Sequence, residues 1–192
     1  MNHLTQPHPT DSLHFELGSF EGFNFRTQSA IEHLLTAAEV VNWDHDRQGE
    51  AEFWPSGDHP AVALLLQHRN VITASELLAL DRLLQELGGD STDCFLQIHY
   101  AVNVCGAELG SLSRDEVEDN FLQVFYGSSF LDVRRAAAYE LFELYYPDEY
   151  AVWEKSTCDG LIFDHDRFLD SPSFFVEEVR LADQVALLVA AR

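Results

Sequence analysis

Four times along this chain a Ser or Thr stands just ahead of an apolar stripe of helical spacing. In three of them a Glu follows three positions on: Ser29 with Glu32, Thr73 with Glu76, and Ser113 with Glu116; Ser129 is the fourth. A hydroxyl at such a position accepts from a backbone N–H of the first turn, and the Glu reaches back to the capping residue, so the pair pins a helix start. These signals constrain the fold most. From Ser29 the stripe is Ile31, Leu34, Leu35 and Ala38; from Thr73 it is Leu77, Leu80, Leu84 and Leu87, stopped by Gly88. Ser129 predicts the longest helix, with Phe130, Val133, Ala137, Leu141 and Leu144 inward, broken at Pro147 and followed by a shorter helix to Lys155. Pro60 suits the first turn of a helix running to His68.

Strand signals fall between these helices. Residues 13–25 hold aromatics punctuated by Gly18 and Gly22, which predicts two short strands and a turn, and residues 51–54 read as a strand after a loop. Leu96, Ile98, Tyr100, Val102 and Val104 alternate with Gln97, His99, Ala101 and Asn103, a period of two that predicts a strand with His99 toward solvent. Residues 121–126 and 161–163 read as further strands, and 174–180 with 185–189 as a hairpin around Ala182 and Asp183. Helices and strands interleave without βαβ regularity, internal repeat or flexible linker. The expectation is α+β: a single compact domain over residues 13–192, with a mixed or mainly antiparallel sheet packed by three to five helices. Residues 1–12, polar and carrying Pro7 and Pro9, read as a flexible arm.

Charge narrows the function classes. The chain carries 33 Asp and Glu against 11 Lys and Arg, a formal net charge of −22, and Lys155 is its one lysine. The two halves share that charge equally, so no acidic tail explains it. A surface of this sign disfavours direct grip on nucleic-acid phosphates, which needs clustered cations, and an anionic membrane would repel it. No apolar run approaches the roughly 20 residues that span a bilayer. The N-terminal segment lacks a cationic and apolar leader, and the three cysteines, Cys94, Cys105 and Cys158, form no CxxC pair; both fit a cytoplasmic protein.

Candidate chemistry centres on a word that occurs twice, Asp44-His45-Asp46-Arg47 and Asp164-His165-Asp166-Arg167, each after an aromatic. Carboxylates two apart with an imidazole between them could hold a divalent cation, so Asp44, His45, Asp46, Asp164, His165 and Asp166 are candidate metal ligands if the two words converge. The competing reading is that Asp at such a point caps a turn, and then no cofactor is needed. The stretch Leu161-Ile162-Phe163-Asp164-His165-Asp166 resembles the first motif of haloacid-dehalogenase phosphatases, in which a strand ends in an Asp nucleophile and a second Asp serves as acid and base. That family also requires a downstream Ser or Thr, a Lys and a further acidic pair. Residues 167–192 contain no lysine, so the assignment is rejected. Gly127 followed by Arg134-Arg135-Ala136-Ala137 resembles the phosphate-binding segment of ParB/sulfiredoxin-like proteins, which implies a nucleotide or DNA hydrolase. In that family Gly and Arg are almost adjacent, whereas six residues, 128–133, intervene here.

Nucleophile elbows, phosphate loops, dinucleotide turns and HExxH helices are absent from the sequence. Cys94 and Cys105, flanking the expected strand, read as small core residues, and no residue is assigned a catalytic role. The nine histidines look scattered, with His59 and His68 too far apart for one helix face.

Two functional readings follow. The first is a non-enzymatic interaction protein that inhibits or neutralises a basic, nucleic-acid-handling protein, in the manner of nucleic-acid mimics, anti-defence inhibitors or immunity-type proteins of mobile elements. Its candidate partner-binding residues are the carboxylates Glu108, Asp115, Glu116, Glu118, Asp119, Glu140, Glu143, Asp148, Glu149 and Glu154, with Tyr150 and Trp153 among them. Tyr145 and Tyr146 extend the same aromatic run. The alternative is a metal-dependent phosphoester hydrolase or nuclease built on the two Asp-His-Asp-Arg words.

Overall fold

Thr73 caps the helix that its sequence announces: its side chain accepts from the Glu76 N–H, and the Glu76 carboxylate accepts in return from the Thr73 N–H. The computed structural model describes residues 13–15, 23–35, 38–42, 50–55, 59–119, 122–156 and 163–192. The architecture is α+β, and the chain divides into two compact units, residues 1–118 and 119–192. Among the described residues there are eight α-helices where three to five were expected, and the strands form two antiparallel sheets. The expected arm, residues 1–12, lies outside the described residues.

In the first unit, strands β1 (Leu13–Phe15), β2 (Ala38–Asn42), β3 (Glu52–Pro55) and β4 (Ile72–Thr73) form an antiparallel sheet in chain order. Helix α1 (Phe25–Leu34) packs on α3 (Ala74–Glu86), and α2 (Pro60–Leu65) packs on α4 (Thr92–His99). A short helix, α5 (Arg114–Glu118), begins at the Ser113 and Glu116 pair as expected. Ile31, Leu34, Phe53, Ile72, Leu77, Leu80, Leu84 and Leu96 are all buried. Helix α3 ends in a Schellman turn: the Gly89 N–H reaches the Leu84 carbonyl at 2.8 Å and Gly88 turns to Gln85. Both glycines hold positive φ, 95° and 118°, which a side chain would resist.

Two local expectations are corrected here. Helix α1 starts at Phe25, not Ser29, because the Asn24 side chain accepts from the Thr27 N–H at 3.1 Å and supplies an earlier cap. The segment expected as a strand, 96–104, is helical: α4 runs into a wide π turn, Tyr100–Val104. Ser91 caps it, and Phe95, Leu96, Ile98 and His99 are buried, a spacing of one, three and four that belongs to a helix. The alternation arose because a helix buried over a broad face also hides every second residue for a turn or two. His99, expected toward solvent, is fully buried, with its Nδ1 3.1 Å from the Leu64 carbonyl.

The second unit holds the sheet β5–β7–β6: β5 (Gln123–Gly127), β7 (Val185–Ala191) and β6 (Phe174–Arg180), all antiparallel. Strands β6 and β7 are the expected hairpin. Helix α6 (Phe130–Tyr145), capped by Ser129, packs on β5 and β7, followed by α7 (Pro147–Ser156) and α8 (His165–Leu169). Val133, Ala137, Leu141, Leu169, Phe174, Leu187 and Val189 make the core, edged by Phe125, Phe163 and Phe168. Of the expected strand at 161–163 only Phe163 is described, and it lies in a non-strand segment just ahead of α8. Strand β5 ends at Gly127, where a Cβ would run into the buried Val133 Cγ2 and glycine alone leaves the room.

Candidate functional site

Three chain segments of the first unit bring a cluster together that linear spacing conceals. His33 sits in the last turn of α1, His59 precedes Pro60 at the start of α2, and Asp90 follows the two glycines that end α3. One ligating atom from each lies within 4.8 Å of the others. The His33 Nε2 is 3.2 Å from one Asp90 oxygen, and the His59 Nε2 is 3.6 Å from the other. Behind His33, its Nδ1 meets the Asp81 carboxylate of α3 at 2.6 Å. The His59 ring lies 5.5 Å from that of His33 and stands edge-on to Phe95. The Asp81 hydrogen bond, outweighing desolvation and aided by Asp90, holds the His33 imidazole above its ordinary value. Burial pushes the His59 imidazole below its own, against the pull of Asp90. Residues 33, 59 and 90 share no motif, so only the tertiary fold could disclose this group.

The second Asp-His-Asp-Arg word is engaged locally. Asp164 caps α8, accepting from the Arg167 N–H at 3.0 Å, and Asp166 accepts from the Arg134 Nε at 2.9 Å. His165 packs edge-on against Tyr139 and Phe163, and desolvation, helped by Arg135, lowers its pKa. Asp44, His45 and Asp46 lie outside the described residues. Arg134, the cation of the phosphate-segment resemblance, is spanned by three carboxylates: Asp166, Asp170 at 2.7 Å and Glu178 at 3.1 Å. Gly127 answers to Val133 packing. Of the cysteines, Cys105 is exposed rather than a core residue, Cys94 is half-buried beneath the Ser91 cap, and Cys158 lies outside the described residues.

The carboxylates named for partner binding are all exposed, and they divide between the units. In the first, Glu116 accepts from Ser113, Glu118 pairs with Arg114, and Glu108 and Asp115 face solvent. In the second, Asp119, Glu140, Glu143, Asp148, Glu149 and Glu154 face solvent. Tyr150 and Trp153 are half-buried: Trp153 leans on Tyr139 and Phe163, and Tyr150 on Phe142. Desolvation raises the Tyr150 phenol, and nearby Glu143 and Glu154 add to it. On and between α6 and α7, Leu144, Tyr145, Tyr146 and Val152 are exposed, the last by 66%. Asp148, Glu149, Val152, Trp153 and Ser156 line a shallow groove of about 370 Å³.

The chain matches no family model, no curated protein and no solved structure. Among the described residues no helix is long and apolar enough to cross a membrane.

Proposed function

We propose that this protein is a non-enzymatic binding module whose second unit docks a basic protein along α7 and the C-terminal half of α6. The observation that carries the reading is α7 itself: none of its ten residues is buried. A helix that rests on its unit only through the half-buried Tyr150 and Trp153 and presents Val152, with Leu144, Tyr145 and Tyr146 exposed at the end of the helix before it, holds apolar area available to a partner. Asp148 and Glu149 line the groove with Val152, and Glu154 on α7 with Glu140 and Glu143 on α6 are exposed on the same two helices. Aromatic and aliphatic anchors among carboxylates suit a surface rich in Arg and Lys: the carboxylates steer encounter, and the tyrosine faces accept guanidinium groups. A basic surface of this kind is typical of nucleic-acid-handling proteins, whose phosphate-binding groove the carboxylates would occupy in place of the nucleic acid. The protein would thereby inhibit or neutralise such a partner.

The test is capture from host lysate on the immobilised full chain, followed by identification and quantitative binding of the recovered protein. The reading expects a basic partner whose affinity falls steeply between low and high salt. It also expects two variants to lose that partner: Leu144→Ser with Val152→Ser, and Glu143→Gln with Asp148→Asn and Glu149→Gln. A partner held equally by both variants, or one indifferent to salt, would overturn it.

A further inference from the structure

The geometry points to a binding site for one zinc-like transition-metal ion in the first unit, ligated by His33 Nε2, His59 Nε2 and Asp90, with Asp81 orienting His33. This site is independent of the proposed partner surface. Two imidazoles and a carboxylate are the donor set that borderline divalent ions prefer, whereas Mg²⁺ and Ca²⁺ favour all-oxygen shells. Tetrahedral ligands at about 2.0–2.1 Å from a zinc ion stand roughly 3.3 Å apart. The His33 Nε2 stands 3.2 Å from one Asp90 oxygen and the His59 Nε2 3.6 Å from the other, so each imidazole is near that spacing from the carboxylate as it stands, through a different oxygen. All three donors lie within 4.8 Å of one another, and closure onto a shared ion draws them together to the tetrahedral spacing.

The arrangement behind His33 strengthens the case. Metal-bound histidines characteristically donate their second ring N–H to a carboxylate, which fixes the tautomer and leaves the other nitrogen free to ligate. Asp81 stands in that position, 2.6 Å from the His33 Nδ1, and is itself held by the Gln85 side chain at 2.9 Å. His33 and Asp90 are exposed, so an ion can reach them, while the His59 side chain is only 14% exposed and packs on Phe95. Three protein ligands leave a fourth position for water.

One contact opposes ligation and makes the site testable in detail. The Ala61 N–H donates to the His59 Nδ1 at 3.3 Å, which requires the ring proton to sit on Nε2. Ligation through Nε2 moves that proton to Nδ1, and the contact with Ala61 must then open. The loss is local, because Pro60 has no N–H and the Val62 and Ala63 N–H groups are held by the His59 carbonyl. Metal binding should therefore leave a signature at the Ala61 amide.

The experiment is calorimetric titration of the full chain with Zn²⁺, with Mg²⁺ as comparison, followed by amide chemical-shift mapping. The expected result is one Zn²⁺ per chain, no Mg²⁺ uptake at matched concentration, and a large shift at Ala61. Asp90→Asn, which keeps the size of the side chain on an exposed turn, should weaken Zn²⁺ at least 100-fold while leaving the urea midpoint of the metal-free chain close to that of the unaltered chain. Asp81→Asn should keep the stoichiometry and weaken it about 10- to 100-fold, the range for a lost orienting partner. His45→Ala with His165→Ala should bind as the unaltered chain does. Zn²⁺ uptake that survives Asp90→Asn, that is lost in the His45 and His165 variant, or that leaves Ala61 unmoved would overturn the assignment, as would no uptake.

Discussion

Replacing Arg134 by Met should unfold the second unit far more readily than an exposed arginine would suggest. Its side chain, only 17% exposed, donates from three guanidinium nitrogens to Asp166, Asp170 and Glu178 at 2.9, 2.7 and 3.1 Å. Those partners reach it from 32, 36 and 44 residues along the chain, so the fork ties α6 to α8, to the turn after it and to β6. Each partner is well exposed, and a pair of that kind contributes about 0.2–1 kcal/mol. Three sharing one ordered side chain should approach the upper end, because the entropy of fixing the arginine is lost once rather than three times. Met keeps much of the stem packing but leaves three carboxylates facing one another. Together these set the expected loss at about 2 kcal/mol, or about 8–16 °C in the midpoint of a unit this size. The assay is urea unfolding read by Trp153 fluorescence, with Trp43 and Trp54 replaced by Phe. About 1 M salt should shrink the difference, since the Debye length is then about 3 Å. Lys at 134 should restore less than half, having one compact charge where the fork has three directions. A loss under about 0.5 kcal/mol, or one that persists unchanged when Asp166, Asp170 and Glu178 are all amidated, would refute the reasoning.

Other expectations follow from single contacts. Gly127→Ala should cost about 1–3 kcal/mol in the same urea assay, because its methyl meets the buried Val133 side chain. Ser91→Ala should cost about 1 kcal/mol and raise amide exchange in the first turn of α4, where its hydroxyl accepts from the Cys94 N–H; a strand at that position would leave exchange unmoved. Burial alone would raise the Glu76 carboxyl, but Arg69 and Thr73 outweigh it and hold the group below its ordinary value. A lowered folded pKa means stability present above the unfolded value, about 4.3, and lost as pH falls through the folded one. Glu76→Gln should accordingly cost about 1–2 kcal/mol at pH 7 and draw level with the unaltered chain only once pH has fallen through the lowered folded value, as urea midpoints at stepped pH will report.

What could be read in the sequence was what the chain decides locally. Thr73 with Glu76, Ser113 with Glu116, and Ser129 are caps whose partners stand three residues away, and each helix begins where its cap says. Ser29 with Glu32 had the same spelling inside a helix already begun at Asn24, so a pattern four residues long could not rank two rival starts. The 96–104 stretch misled because period two and a broadly buried helix agree over a few residues, and the Ser91 cap upstream held the deciding information. Long-range assembly was out of reach altogether. His33, His59 and Asp90 meet only because α1, α2 and the α3 turn pack as they do, and Arg134 finds carboxylates that stand 32, 36 and 44 residues further along the chain.

The π turn at Tyr100–Val104 has a consequence for how this chain tolerates length changes. Its closing bond runs from the Cys105 N–H to the Tyr100 carbonyl at 3.0 Å, one residue wider than an α-helical bond. Such a turn holds one residue beyond the ordinary winding, and each residue of an α-helix advances the direction of its side chain by about 100°. Deleting a single residue between Ala101 and Val104 would let the helix close regularly, with backbone bonding improved rather than broken. Downstream the helix has already ended at Cys105, and Gly106, at a φ of 74°, redirects the chain, so the buried Leu109 and Leu112 stand on a non-helical segment that carries no helical phase. The surplus residue is thus a place where the chain can shorten by one with the change confined to the end of this helix.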